Sequence, residues 1–215
     1  MEKDLAIMMA DLTGYSALTE AHGGASAAQL VRKYIELVDG ALVGDCKLFQ
    51  RIGDQVVILS DSAPDMLSTA RRLNKMTSDE HHFLSIHAGL HYGPVFIERN
   101  NLFGSTINVA SRIMNIAQRG EILCSQSFIT KLAGLGTAKS AGRYKLKNIA
   151  EEFELFRLDE PIVHLLVIDP VCHMQIDASK SKLYTEYNHV TYHFCSIDCR
   201  DRFKAAPKHF ISDVK

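Results

Sequence analysis

The sequence carries almost no net charge, 24 Lys and Arg against 25 Asp and Glu in 215 residues, and no block of either sign. That excludes a nucleic-acid-binding tail and a polybasic membrane anchor. It also lacks any apolar run near the roughly 20 residues a bilayer span needs. Met1-Glu2-Lys3-Asp4 does not begin a secretory signal. Internal repeats and low-complexity segments are missing as well. These absences predict a cytoplasmic protein with neither nucleic acid nor membrane as partner. Cysteine is scarce, five in all, and unevenly placed. Cys46 and Cys124 fall in apolar, strand-like stretches and read as small buried hydrophobes. Cys172, Cys195 and Cys199 crowd near the C-terminus, and in a reducing compartment such a cluster suits a metal better than disulfides.

What is present is a core's worth of apolar residues, 47% of the chain, enough for one good core and a small second module. Two carboxylates stand out. Asp11 ends the apolar run Ala6-Ile7-Met8-Met9-Ala10, and Asp54 lies in the Gly53-Asp54 turn between Leu48–Arg51 and Gln55–Leu59. Acids at the ends of neighbouring strands form a bed for paired Mg²⁺ or Mn²⁺ and a triphosphate.

Hydrophobic periodicity predicts a buried strand over 5–10, a helix over 13–21 broken by Gly23-Gly24, and a longer helix over 25–43. A hairpin follows around Gly53-Asp54, and Pro64 opens a helix to about Met76. A strand over 82–92 is punctuated by Gly93-Pro94, a helix runs over 105–118, and strands over 121–124, 136–141 and 153–158 complete the pattern. The order suits an α+β ferredoxin-like sandwich, a βαββαβ core with additions. His87 and His91 share one face of their strand and are expected to pack there rather than hold a metal. His81 and His82 read as loop residues. After Leu158 the character changes: Asp159-Glu160-Pro161 is a polar break and 162–168 an apolar strand or linker. The expected division is 1–160 and 161–215.

Four segments recur in a telling order: the Asp11 strand end with Thr13-Gly14-Tyr15-Ser16, the Asp54 hairpin, Asn101-Leu102-Phe103-Gly104-Ser105-Thr106-Ile107-Asn108-Val109-Ala110-Ser111-Arg112, and Tyr144-Lys145-Leu146-Lys147-Asn148-Ile149. Together they resemble the class III nucleotidyl cyclase catalytic domain over about residues 4–158, with the catalytic part starting almost at Met1. The resemblance implies a cyclase sandwich and attack of a ribose 3′-oxygen on the α-phosphate of ATP, or GTP, with two metal ions assisting. It implies that Asp11, Asp54 and the Leu12 carbonyl hold two Mg²⁺ or Mn²⁺, while Thr13, Gly14, Tyr15 and Ser16 cradle phosphate at a helix start. Asn108 would orient the ribose, Arg112 would stabilise charge on the transferring phosphate, and Lys147 would contact the terminal phosphates. Asn108 and Arg112, four apart on a helix, share a face.

The base-reading pair departs from the family pattern. Adenylyl cyclases of this class usually carry Lys and Asp, and guanylyl cyclases Glu and Cys, where this chain has Gln50 and Asn101. Amides both donate and accept, so ATP is the expected main substrate with weakened discrimination against GTP. The family's sites form between two subunits, which implies a head-to-tail homodimer.

The C-terminal strings Asp169-Pro170-Val171-Cys172-His173-Met174, Tyr192-His193-Phe194-Cys195-Ser196 and Cys199 with Phe203 and Pro207 resemble the YHS domain, related to TRASH domains. Their spacing suits a small treble-clef-like module. Three thiolates favour Zn²⁺ or Cu⁺, with a fourth position for His173, Met174, His193 or solvent. The metal is expected to be either a structural staple or a regulatory signal.

Overall fold

A computed structural model describes residues 2–99, 101–134, 138–149, 151–158 and 166–211. The N-terminal part runs β1 (Glu2–Leu12), α1 (Tyr15–Ala41), β2 (Lys47–Ile52), β3 (Gln55–Ser60), α2 (Ala63–Asp79), β4 (Ile86–Glu98), β5 (Asn101–Phe103), α3 (Ser105–Met114), β6 (Ile122–Ser125), α4 (Gln126–Lys131), β7 (Ala138–Lys145) and β8 (Glu152–Leu158). The sheet order is β2-β3-β1-β4-β6-β8-β7, with β5 paired to β4. Its first six elements form the expected βαββαβ core, with β1 central and antiparallel to β3 and β4. Alternation along β1 builds two layers. Ala6, Met8 and Ala10 bury against α1 and α2, while Leu5, Ile7 and Met9 face Val57, Leu59 and the α3 residues Ala110 and Met114.

The sequence expectations hold for most elements and fail at particular points. β4 continues through Gly93-Pro94 to Glu98 instead of stopping there. Its parallel neighbour β6 pairs only as far as Leu90, so Pro94 faces β1 alone and its missing N–H is tolerated. Helix α3 ends at Met114, four residues early, because the chain must turn to bring β6 beside β4; Gly120 N–H donates to Ile86 O at 2.8 Å and Ala88 N–H to Glu121 O at 3.0 Å. The two expected N-terminal helices are one element bent at Gly23, whose φ of 78° and ψ of 167° lie outside helical values. The short elements β5 and α4 carried no periodicity to read. Strand β7 begins at Ala138, and the start expected at 136 lies outside the described residues, as do 159–165 with the expected division at 160.

The C-terminal module contains β9 (Leu166–Ile168), β10 (Gln175–Asp177), β11 (Tyr184–Tyr187), β12 (Val190–His193), α5 (Ile197–Ala205) and α6 (Pro207–Ile211). Two hairpins, β9-β10 and β11-β12, precede the helices. Val171, Cys172, Phe194, Cys199 and Phe203 make a small core of their own, with Ala21 of α1 packed against it. The module docks through Gln175: its N–H donates to Phe83 O at 2.8 Å, its carbonyl accepts from His82 N–H at 3.3 Å, and its side-chain Nε2 donates to Thr77 O at 3.0 Å. No helix among the described residues is long and apolar enough to cross a membrane.

Candidate active site and metal centre

Asp11 and Asp54 come together at one end of the central strands. Burial, together with the neighbouring Asp11 carboxyl, pushes the Asp54 carboxyl up to about 7, while the nearby Leu12 N–H works the other way. Asp11 Oδ1 is buried with no hydrogen-bond partner, and so is the Tyr34 hydroxyl, whose ionisation burial and the two carboxylates oppose. A buried carboxylate oxygen without a protein donor, beside a second carboxyl, is donor chemistry suited to a divalent cation. The acidic pair therefore fits a divalent metal.

The turn after Asp11 is held from beneath. Thr13 N–H donates to Ser85 O at 2.8 Å, and Thr13 Oγ1 bonds His87 Nδ1 at 3.0 Å. Gly14, at φ 93°, caps α1 in the left-handed conformation, and Tyr15 and Ser16 form the first helical turn, where backbone N–H groups lack intrahelical partners. His87 sits opposite Asp11 in the β1–β4 register, and burial lowers its basicity. His91, on the same face, bonds Ser125 Oγ at 2.7 Å and Ser127 Oγ at 3.2 Å, so the two histidines pack separately.

The other expected site residues stand apart from this pair. Gln50 on β2 and Asn101 on β5 are exposed, and Asn101 Nδ2 reaches only Arg99 O at 3.3 Å. Asn108 is exposed on α3, whereas Arg112 is half-buried with its Nε buried and unpartnered. Lys147 is exposed in the turn after β7. Among the described residues no hydrogen bond or ion pair joins the carboxylates to Asn108, Arg112 or Lys147. Strand β7 lies four strands from β1, about 19 Å at ~4.8 Å per strand.

The three C-terminal thiols do converge. Cys172 Sγ lies 3.4 Å from Cys195 Sγ, which lies 3.6 Å from Cys199 Sγ. The buried Asp169 carboxylate ties their two turns together by accepting from Val171 N–H and Cys195 N–H, each at 2.8 Å. Ser196 Oγ caps α5 by accepting the Cys199 N–H at 3.2 Å. Shared protons split the thiols: hydrogen bonds from Cys172 and Cys195 hold Cys199 well below the ordinary thiol range, and donation to Cys195 pushes Cys172 up. A thiolate stabilised by neighbouring thiols is a donor set for a soft cation.

The fourth position was expected for His173, Met174, His193 or solvent, but the imidazole that meets the thiols belongs to none of these residues. His22 of α1 brings its Nε2 to 3.3 Å from Cys195 Sγ and 3.5 Å from Cys199 Sγ. His193 keeps its ring against Tyr184 and its Nδ1 unpartnered. His173 points the other way: its Nδ1 and carbonyl oxygen meet Arg119 at 3.1 and 3.2 Å, and its ring lies over Gly14. Met174 packs against the main core.

Residues 1–160 match the adenylate and guanylate cyclase catalytic domain, and residues 167–214 match the YHS domain. The chain belongs to the adenylate and guanylate cyclase family. An adenylate cyclase of Streptomyces griseus is 27% identical over 158 residues, covering 72% of this chain and 39% of the relative. A pH-sensitive adenylate cyclase of Mycobacterium tuberculosis is 25% identical over 161 residues, covering 73% and 41%. The chain thus spans about two fifths of the length of these relatives. In fold, the cyclase domain is similar to the guanylate cyclase domain from Catenaria anguillulae solved with GTP, at TM-score 0.68 and 17% identity over 74% of this chain and 98% of that one. It is likewise similar to an adenylate/guanylate cyclase/hydrolase from Silicibacter pomeroyi, at TM-score 0.63 and 24% identity over 75% and 99%.

His22, Arg119 and Tyr34 escaped the sequence reading. His22 lies 150 positions from the first of the three cysteines it approaches, within an unremarkable polar helix, Thr19-Glu20-Ala21-His22, and no local spacing could join them. Tyr34 had only a place in an apolar stripe.

Proposed function

We propose that the chain closes ATP, and GTP less well, to the 3′,5′-cyclic nucleotide with release of pyrophosphate, as a homodimer with two shared sites. The observation that carries this reading is the juxtaposed Asp11–Asp54 pair, with the Asp54 carboxyl pushed up beside a buried Asp11 Oδ1 that has no protein donor. Two Mg²⁺ or Mn²⁺ held by Asp11, Asp54 and the Leu12 carbonyl would lower the pKa of the attacking 3′-hydroxyl and neutralise the departing phosphates. The O3′–Pα bond forms as the bond from Pα to the bridging oxygen of pyrophosphate breaks.

The chain's own residues bind, orient and stabilise charge. Thr13 to Ser16 offer backbone donors to phosphate at the start of α1, where the helix dipole favours an anion. Arg112, anchored on α3 with an unpartnered Nε, supplies charge to the transferring phosphate, and Asn108 one turn earlier orients the ribose. Lys147 takes the terminal phosphates. Gln50 and Asn101, both exposed on their strands, read the base edge from the second subunit. The separation of Lys147 from the carboxylates within one chain supports this sharing. The C-terminal module binds a soft metal through Cys172, Cys195 and Cys199.

Purified protein with excess Mn²⁺ and either nucleotide tests the reading, with Asp54→Ala as control. Cyclic product from the wild type alone supports the cyclase. Well-folded dimeric protein that binds nucleotide without product would sink it and leave a nucleotide-binding, metal-sensing protein. Gln50→Lys with Asn101→Asp should raise the ATP-over-GTP ratio about tenfold, as one or two better-matched hydrogen bonds would; an unchanged ratio would remove both residues from base reading.

A further inference from the structure

The four donor atoms of His22, Cys172, Cys195 and Cys199 lie within 4.8 Å of one another. Bonds of about 2.3 Å to sulfur and about 2.0 Å to nitrogen place donors around tetrahedral zinc roughly 3.5 to 3.8 Å apart. Four of the six S···S and N···S separations are 3.3 to 3.6 Å, already close to those edges. Three sulfurs and one imidazole close a four-coordinate set without solvent, the pattern of a structural zinc site. We propose that His22, from the cyclase domain, is the fourth ligand of a Cys₃His zinc site, so that zinc occupancy fixes the YHS domain onto the phosphate turn of the cyclase. This inference rests on the reading that the three cysteines bind metal.

The geometry makes the ion a link between modules. The first segment of α1 begins at the Gly14 turn and ends at His22, just before the bend at Gly23. Both ends of this two-turn rod touch the YHS domain. At one end His22 meets the thiols. At the other His173, adjacent to Cys172, lies so close to Gly14 that a Cβ there would sit 2.4 Å from the His173 Cβ. Arg119 then ties His173 back to the cyclase sheet, and Arg202 Nη1 donates to Glu20 O at 3.3 Å along the rod. Zinc bound to His22 would tie the rod to the module at the end beside Gly23. Without zinc, Leu18 in the main core and the Thr13 N–H on Ser85 O still hold the rod to the cyclase sheet, but its His22 end loses that tie to the module.

X-ray absorption at the zinc edge on the full chain tests the ligand, and hydrogen exchange tests the link. The wild type should hold one zinc per chain with three sulfur neighbours and the outer-shell scattering of one imidazole. His22→Ala should lose the imidazole scattering and lose zinc to a competing chelator at least tenfold more readily, while His193→Ala should keep both. An imidazole signal that survives in His22→Ala would overturn the assignment. A wild type that takes up no stoichiometric zinc would instead overturn the metal-binding reading beneath it. Zinc should slow amide exchange over 15–22 in the wild type and leave it unchanged in His22→Ala. Equal exchange in zinc-loaded and zinc-free wild type would show that the ion does not restrain the rod.

Discussion

At the scale of single residues, burial sets the chemistry more than charge pairing does. His91 is only 9% exposed, and burial drives its imidazole down to about 4 from an ordinary 6.5. The unfolded chain therefore binds the extra proton between pH 6.5 and 4, so stability is lost as pH falls through that window. The full loss is on the order of 3 to 4 kcal/mol. Denaturant titrations over that range should show this limb, and His91→Gln should flatten it; an unchanged slope would place the acid sensitivity elsewhere. Gly14 offers a second case. Alanine there would adopt φ 93° and drive its Cβ into the His173 ring, so Gly14→Ala should cost about 1–3 kcal/mol in urea unfolding. Asp11, Asp54, Gly14 and the three cysteines were legible in the sequence because turn chemistry and short spacing mark them locally. Asp169 appeared in the sequence only as part of the Asp169-Pro170-Val171-Cys172 string; its bond to Val171 N–H is local, but the bond to Cys195 N–H, which joins the two cysteine turns, spans 26 residues and carried no mark.

At the scale of elements, α1 shows how one residue converts a long helix into two rods. Gly23 has nothing within 4 Å of a notional Cβ, so its conformation alone resists substitution. Gly23→Ala should therefore destabilise by about 1–2 kcal/mol through backbone strain, or straighten α1 and withdraw His22 from the thiols. Zinc affinity that drops with stability indicates straightening, and affinity that holds while stability falls indicates strain alone. The Gly23-Gly24 pair announced the break in sequence, and long periodic segments such as α2 were equally plain. Boundaries decided by neighbours were not. Pro94 looked like a stop until the sheet showed that only one flank of β4 needs donors there. The end of α3 depends on where β6 must join the sheet, information no helical period contains.

At the scale of the whole molecule, the acidic pair and the residues proposed to meet it stand apart: Lys147 follows β7, four strands from β1, and no described hydrogen bond or ion pair joins Asn108 or Arg112 to the carboxylates. The fold was readable because the βαββαβ order is written in consecutive periodicities, whereas the proposed zinc site was only three-quarters readable because its proposed fourth donor, His22, comes from another module. The same argument applies to the nucleotide site, whose halves are proposed to meet across two chains. If Asp54 serves one subunit's carboxylate bed and Arg112 reaches into its partner's, each single variant disables both sites of its own homodimer. A mixed dimer of Asp54→Ala and Arg112→Ala chains then has one site with both lesions and one with neither. Equal mixing with free exchange makes half the dimers mixed, so activity should recover to about a quarter of wild type per chain. Each variant alone should stay below a hundredth of wild type, since the metal bed and the phosphate clamp are each worth about 3 kcal/mol or more in the transition state. Recovery after mixing, measured on exchanged and re-purified dimers, places the two residues in one shared site. Exchange without recovery would mean that each chain builds its site alone, and Arg112 would have to reach Asp54 within one subunit across a gap that no described hydrogen bond or ion pair bridges.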